Sequence, residues 1–195
     1  MTKNLNGEMD ILLALFKNPD KELSASGLAQ LVGLSRMGAL LVVRKLVAEG
    51  LLKVRKIGKS SIYSLDPSDS HTRKYLIFLL SREAERATPY ARRWIAELRR
   101  LKNAKAAILF GSVLRKENGA RDIDAVLITD EKRFDALEKE IDAMNRINSK
   151  PIHAVYQLSG DFRKNLQKKD SVILNALKGI VAFGEEVVLH ESSGE

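Results

Sequence analysis

Two apolar runs flank a glycine and a pair of carboxylates, and no other feature of the chain restricts its fold as tightly. Ala107-Ile-Leu-Phe110 runs directly into Gly111-Ser112, and after nine more residues comes Asp122-Ile-Asp-Ala-Val-Leu-Ile128. Side chains alternate faces along a strand, so Asp122 and Asp124 point the same way while Ile123 points back into the core. Two carboxylates side by side repel unless a cation lies between them. A hard ion such as Mg²⁺ takes one or two carboxylates together with substrate phosphates. Gly111 lets the backbone turn tightly and approach a ligand. Ser112 adds a hydroxyl at the start of a short helix, whose N–H groups attract anions. A phosphate seat beside a metal pair points to chemistry on a nucleoside triphosphate.

This strand–turn–helix–strand with Gly111-Ser112 and Asp122-x-Asp124 resembles the DNA polymerase β-like nucleotidyltransferase superfamily, in particular its minimal members, over roughly residues 103–190. The resemblance implies that Gly111 and Ser112 hold the triphosphate, that Asp122 and Asp124 bind Mg²⁺ (or Mn²⁺) and act in catalysis, and that a third carboxylate on a later strand completes the site. That strand is predicted over Pro151–Leu158, and there His153 stands where the third acid is expected. The family also tends to carry a glycine in the short helix. Here Arg115 and Lys116 occupy that stretch, and the glycine comes later, as Gly119. Arg115 and Lys116 are the nucleotide-binding cations expected, with Lys105 and Arg121 as further triphosphate clamps.

Charge is split along the chain. Residues 1–102 hold 19 Lys+Arg against 10 Asp+Glu, and residues 103–195 hold 14 against 15, within a net charge of +8. A basic first half suggests a polyanionic partner. Cysteine is absent, which excludes a disulfide framework and a thiolate metal site. No apolar run approaches the length of a membrane span. The opening residues lack a signal-peptide pattern, so a cytoplasmic location without membrane attachment is expected.

Apolar spacing predicts a helix over residues 8–18, stopped at Asn18-Pro-Asp20. Ser24 and Ser26 offer capping side chains for a second helix, Ala25–Val32. Gly33 turns the chain, and Ser35 caps a third helix from Arg36 to about Glu49, ended by Gly50. The period then shifts to two, with a basic hairpin turning at Gly58-Lys59. The order helix–helix–basic hairpin over Leu23–Leu65 resembles the winged helix–turn–helix domains of transcription regulators. That resemblance implies a recognition helix whose N-terminal residues Ser35, Arg36 and Met37 read base edges, with Gly38 and Ala39 allowing close approach. Arg44 and Lys45 would meet phosphate, and Lys56 and Lys59 near the hairpin tip would reach backbone or minor groove of double-stranded DNA.

Asp66–Ser70 reads as a linker and cap. A helix follows over Thr72–Arg86 with Tyr75, Leu76, Phe78, Leu79 and Leu80 on its apolar side, and another starts at Thr88-Pro89. The second helix carries Arg92, Arg93, Arg99 and Arg100 on its other side, either as a solvated face or as an extension of a nucleic-acid surface. So long an apolar stripe serves packing between domains or pairing with a second copy, and a homodimer is expected. Beyond Asn103 the predicted order is strand, short helix, strand, helix (Glu131–Ile147), strand (Ile152–Leu158) and two helices (Ser159–Lys168 and Ser171–Leu177). Glu185 and Glu186 are expected in a solvated terminus.

The fold expected is therefore α+β: a winged helix–turn–helix over 1–67, a helical connector over 68–102, and a mixed-sheet nucleotidyltransferase-like α/β domain over 103–195. Three functions fit. One is a DNA-binding regulator whose second domain holds Mg-NTP. Another is an active nucleotidyltransferase that modifies a hydroxyl on a protein, nucleic acid or small molecule. The third is an antitoxin-like protein paired with a second chain of a two-component system. His153 at the third-acid position favours the first and third, and the retained Asp122/Asp124 pair favours the second.

Overall fold

The computed structural model describes residues 3–66, 68–116 and 119–192; Met1, Thr2, the linker's Pro67 and the last three residues lie outside it. The chain is α+β and divides into two compact units that part at Leu79/Leu80, within a single helix.

The first unit opens with α1 (Lys3–Phe16), β1 (Leu23–Ser24), α2 (Ala25–Val32) and α3 (Arg36–Ala48), then β2 (Lys53–Ile57) and β3 (Ser60–Ser64). The helices start where the serines predict. Ser24 Oγ accepts from Gly27 N at 3.3 Å and Ser35 Oγ from Gly38 N at 3.0 Å, each satisfying a donor that the first helical turn leaves open. Ile11, Leu12, Leu28, Ala39, Val43 and Leu46 bury the facing stripes of the three helices. β2 and β3 form an antiparallel hairpin in which Ile57 pairs with Ser60, so Gly58 and Lys59 alone make the turn. Leu23 and Ser24, read from sequence only as a capping stretch, also pair with Tyr63 and Ile62 and add a third strand.

α4 spans Ser70–Arg86. It begins earlier than the expected Thr72 because Asp69 Oδ2 accepts from Thr72 N at 2.7 Å and caps the helix upstream. Leu76, Leu79 and Leu80 are buried as expected, whereas Phe78 faces outward.

In the second unit α5 (Pro89–Leu98) precedes β4 (Ala106–Phe110), α6 (Val113–Lys116), β5 (Ile123–Thr129), α7 (Glu131–Ile147), β6 (Ile152–Leu158), α8 (Ser159–Gln167), α9 (Ser171–Leu177), β7 (Ile180–Phe183) and α10 (Glu185–Ser192). The sheet order is β6-β5-β4-β7, with β5 and β6 parallel and the other pairs antiparallel. β4 and almost all of β5 are buried, which is why they read as continuous apolar runs rather than alternating ones. Leu137, Ile141 and Met144 of α7 pack with Ile123, Ala125, Leu127 and Ile152 on one face. Arg99 donates through Nε to the Ala182 carbonyl at 2.8 Å and pairs with Glu85 at 3.1 Å, so it ties α5 to β7 and is not part of an open basic face.

Two corrections concern the chain's end. Gly179–Gly184 encloses a strand, β7, paired with β4. Gly184 has φ 78° and packs so closely that a Cβ would lie 2.3 Å from the Lys105 carbonyl. Glu185 and Glu186 are not a loose terminus. They form the first turn of α10, where negative charge complements the helix dipole.

Candidate active site

Three adjacent strands bring the predicted residues to one end of the sheet. Phe110 on β4 pairs with Asp124 on β5, and Asp124 pairs with His153 on β6. Asp122 immediately precedes β5. The two carboxylates and the imidazole therefore stand on neighbouring strands at the edge where Gly111 turns the chain. His153 Nδ1 lies 3.6 Å from Asp122 Oδ2.

Gly111 has φ 81°, in the left-handed region, and a Cβ there would meet Asp124 Oδ2 at 2.0 Å. A glycine is thus required twice over, by backbone conformation and by the carboxylate beside it. Ser112 opens the short helix α6, its carbonyl accepting from Arg115 N at 3.1 Å and Lys116 N at 2.8 Å. The Ser112 N–H lies near enough to the Asp124 carboxylate to favour its ionised form.

The electrostatics follow. Burial, then the Asp122 charge, push the Asp124 carboxyl above its ordinary range, while His153 and the Ser112 N–H pull the other way. A carboxylate held against desolvation and a like charge is disposed to accept a cation. Among the described residues no group of three or more His, Cys, Asp or Glu is arranged to hold a metal ion. The donor set is two carboxylates with an imidazole beside them, and it fits an ion whose remaining ligands come from substrate phosphates. Imidazole is a poor ligand for Mg²⁺ and suits softer metals better.

The cations divide. Arg115 and Lys116 end α6 and are exposed, as is Arg121 just before Asp122. Lys105 is elsewhere. It precedes β4, at the opposite end of the strand from Gly111, and its Nζ is 2.5 Å from Asp130 Oδ1. Five residues of strand, about 17 Å, separate it from the carboxylates, so Lys105 is no triphosphate clamp. Lys150, which the sequence reading passed over, donates to the Ala120 carbonyl and sits 5.5 Å from the Tyr90 ring centre. It fastens the approach to Asp122 to the turn that leads into β6.

The residues expected to meet DNA all lie on the first unit. Ser35 is spent as the α3 cap. Arg36, Met37 and Arg44 are exposed on α3, and Lys56 and Lys59 on the hairpin. No ion pair among the described residues holds Arg36, Arg44, Lys56 or Lys59. Lys45 is engaged, 2.6 Å from the buried Glu8 and 3.7 Å from Glu49.

Residues 91–182 match the family model described as "Nucleotidyltransferase domain". A nucleotidyltransferase domain is therefore present, and its matched range contains Gly111, Ser112, Asp122, Asp124 and His153. Such domains generally use a divalent metal ion and a nucleoside triphosphate. No curated protein matches the chain. Among solved structures the chain aligns with the crystal structure of hypothetical protein PyrSV_gp04 from Pyrobaculum spherical virus, at 18% identity over 91% of this chain and 83% of that one, with a TM-score of 0.30. So loose a likeness carries no argument. No helix among the described residues is long and apolar enough to cross a membrane.

Proposed function

We propose that this chain is a DNA-binding protein of the cytoplasm, with a winged helix–turn–helix over its first unit, whose nucleotidyltransferase domain binds a nucleoside triphosphate with Mg²⁺ and transfers its nucleotidyl group slowly or not at all. The observation that carries this reading is the convergence of Gly111, Asp122, Asp124 and His153 at one end of three neighbouring strands. The Gly111-Ser112 turn would seat the triphosphate, with Arg115 and Lys116 beside it. Asp122 and Asp124 would hold the ion, which when bound stabilises charge on the phosphoryl oxygens. His153 accepts a proton when neutral but adds no negative charge, so the site lacks the third anionic ligand that efficient transfer uses.

DNA binding rests on the order of α2, α3 and the β2–β3 hairpin and on Arg36, Arg44, Lys56 and Lys59, which no ion pair holds among the described residues. Arg36 and Arg44 would meet the major groove and its phosphates, and Lys56 and Lys59 the flanking backbone. Lys45 would first have to leave Glu8. Calorimetry with a nucleoside triphosphate, with and without Mg²⁺, tests the nucleotide half. Affinity should depend on Mg²⁺ and fall in Asp124→Asn, and equal affinity in both proteins sinks it. Duplex binding that weakens steeply with salt, and weakens again in the Lys56→Ala/Lys59→Ala variant, tests the DNA half.

An active transferase is the second reading, favoured by the retained Asp122–Asp124 pair. Robust label transfer from a nucleoside triphosphate by the native chain, lost in Asp122→Ala, would establish it.

A further inference from the structure

Met37 and Leu41 are 64% and 59% exposed on α3, while Ala39, Val43 and Leu46 of the same helix are fully buried. Positions four apart share a helix face, and Arg44 continues that stripe. Leu41 also borders a small apolar hollow of about 220 Å³, lined in part by Leu34, Gly38 and Val42. This is a contiguous apolar surface rather than one stray side chain. Its flanks are cationic, with Arg36 beside Met37 and Arg44 one turn beyond Leu41, while the nearby Glu8 and Glu49 are taken up by Lys45.

A partner for such a face must be apolar at the centre and anionic at the edges. The major groove of DNA is both, because thymine alone projects a methyl group there, between two rows of phosphates. The spacing agrees. Four helical residues rise about 6 Å, close to two base steps of about 3.4 Å each. We propose that Met37 and Leu41 read thymine methyl groups about two base steps apart, which makes this helix a reader of A·T-containing sites. The proposal rests on the DNA-binding reading above.

The experiment uses the full-length chain and the tightest duplex it recovers from a randomised 20-base-pair pool. Each thymine of that duplex is then replaced by deoxyuridine, which removes the methyl and leaves every hydrogen-bonding edge intact. Affinity for the native chain should fall about tenfold, as expected for two buried methyl groups, with an unchanged salt slope. The Met37→Ala/Leu41→Ala variant should bind the thymine and deoxyuridine duplexes equally and keep that salt slope, because its phosphate contacts remain. Both side chains are exposed, so circular dichroism and the unfolding midpoint should match the native chain. Equal binding of the two duplexes by the native chain overturns the methyl reading and leaves DNA binding standing. Absence of salt-sensitive binding to any recovered duplex overturns the DNA-binding reading along with it. A variant that changes the sedimenting mass of the chain, with the thymine preference intact, shows that the patch joins protein to protein and likewise overturns the proposal.

Discussion

A side-chain carbon at Gly111 would lie 2.0 Å from Oδ2 of Asp124. The Gly111 turn and strand β5 are therefore one rigid feature. Gly111→Ala must displace the Asp124 carboxylate and also hold alanine at φ 81°. The backbone cost alone is about 1–2 kcal/mol. The variant should unfold at lower temperature and bind Mg-NTP at least about tenfold more weakly. Gly160→Ala is the control, since a Cβ there meets nothing within 4 Å and lies inside α8, where alanine is favoured by about 0.5–1 kcal/mol. Thermal melts and calorimetry on the two proteins separate the effects, and equal behaviour would show that the Gly111–Asp124 contact is slack.

The raised Asp124 carboxyl predicts a pH-dependent cost. Below the ordinary carboxylate range both folded and unfolded chains carry the proton, and no penalty exists. As pH rises through the window between the ordinary and the folded value, the unfolded chain ionises first and the folded state loses ground. Above that window the loss is complete. Asp124→Asn removes it, so its unfolding midpoint at pH 7 should exceed the native one. The gain should vanish near pH 3.5. A gain that persists there would mean that the asparagine packs better, and that charge is not the cause.

Most of this site was legible because its signals are local. Glu131–Ile147 and Ile152–Leu158 have the bounds that their patterning predicts, and Asp122, Asp124 and His153 fall together because strand order brings their positions into register. What was not legible depends on distant partners. β7 is four residues long, and its pairing with β4 reaches back some seventy positions, so nothing near Ile180–Phe183 announces a strand. Lys105 is close to Gly111 in sequence and lies a full strand length away in space. The closeness of Gly111 to the Asp124 carboxylate is a tertiary contact that a turn pattern does not encode.

Asn145 shows the same blindness, and it yields a prediction. It reads as a polar position on α7, yet its side chain accepts from Ile152 N at 2.7 Å and donates to Ile152 O at 3.4 Å. Ile152 opens the edge strand β6, and the amide satisfies outward-facing backbone groups that a further strand would otherwise bind. Asn145→Ala leaves the Ile152 N–H without that partner, at a cost of about 1–3 kcal/mol. The midpoint should drop by several degrees, and amide hydrogen exchange should quicken at Ile152. Unchanged exchange there would mean that water replaces the asparagine without loss.

His153 decides whether the site transfers or only binds. It pairs directly across from Asp124 and sits 3.6 Å from Asp122, so a carboxylate at this position would join the other two without any change of backbone. The side chain is 68% exposed, which leaves room for the shorter acid without disturbing the core. His153→Asp should bind Mg-NTP at least as tightly as the native chain, because it adds an anionic oxygen where a second divalent ion is normally balanced. Label transfer from a nucleoside triphosphate to protein or nucleic-acid hydroxyls should then appear, or rise by about tenfold or more over the native rate. The double variant His153→Asp/Asp122→Ala should lose it again. If His153→Asp binds nucleotide and transfers nothing in the presence of a full cell extract, the missing third acid is not what limits this domain.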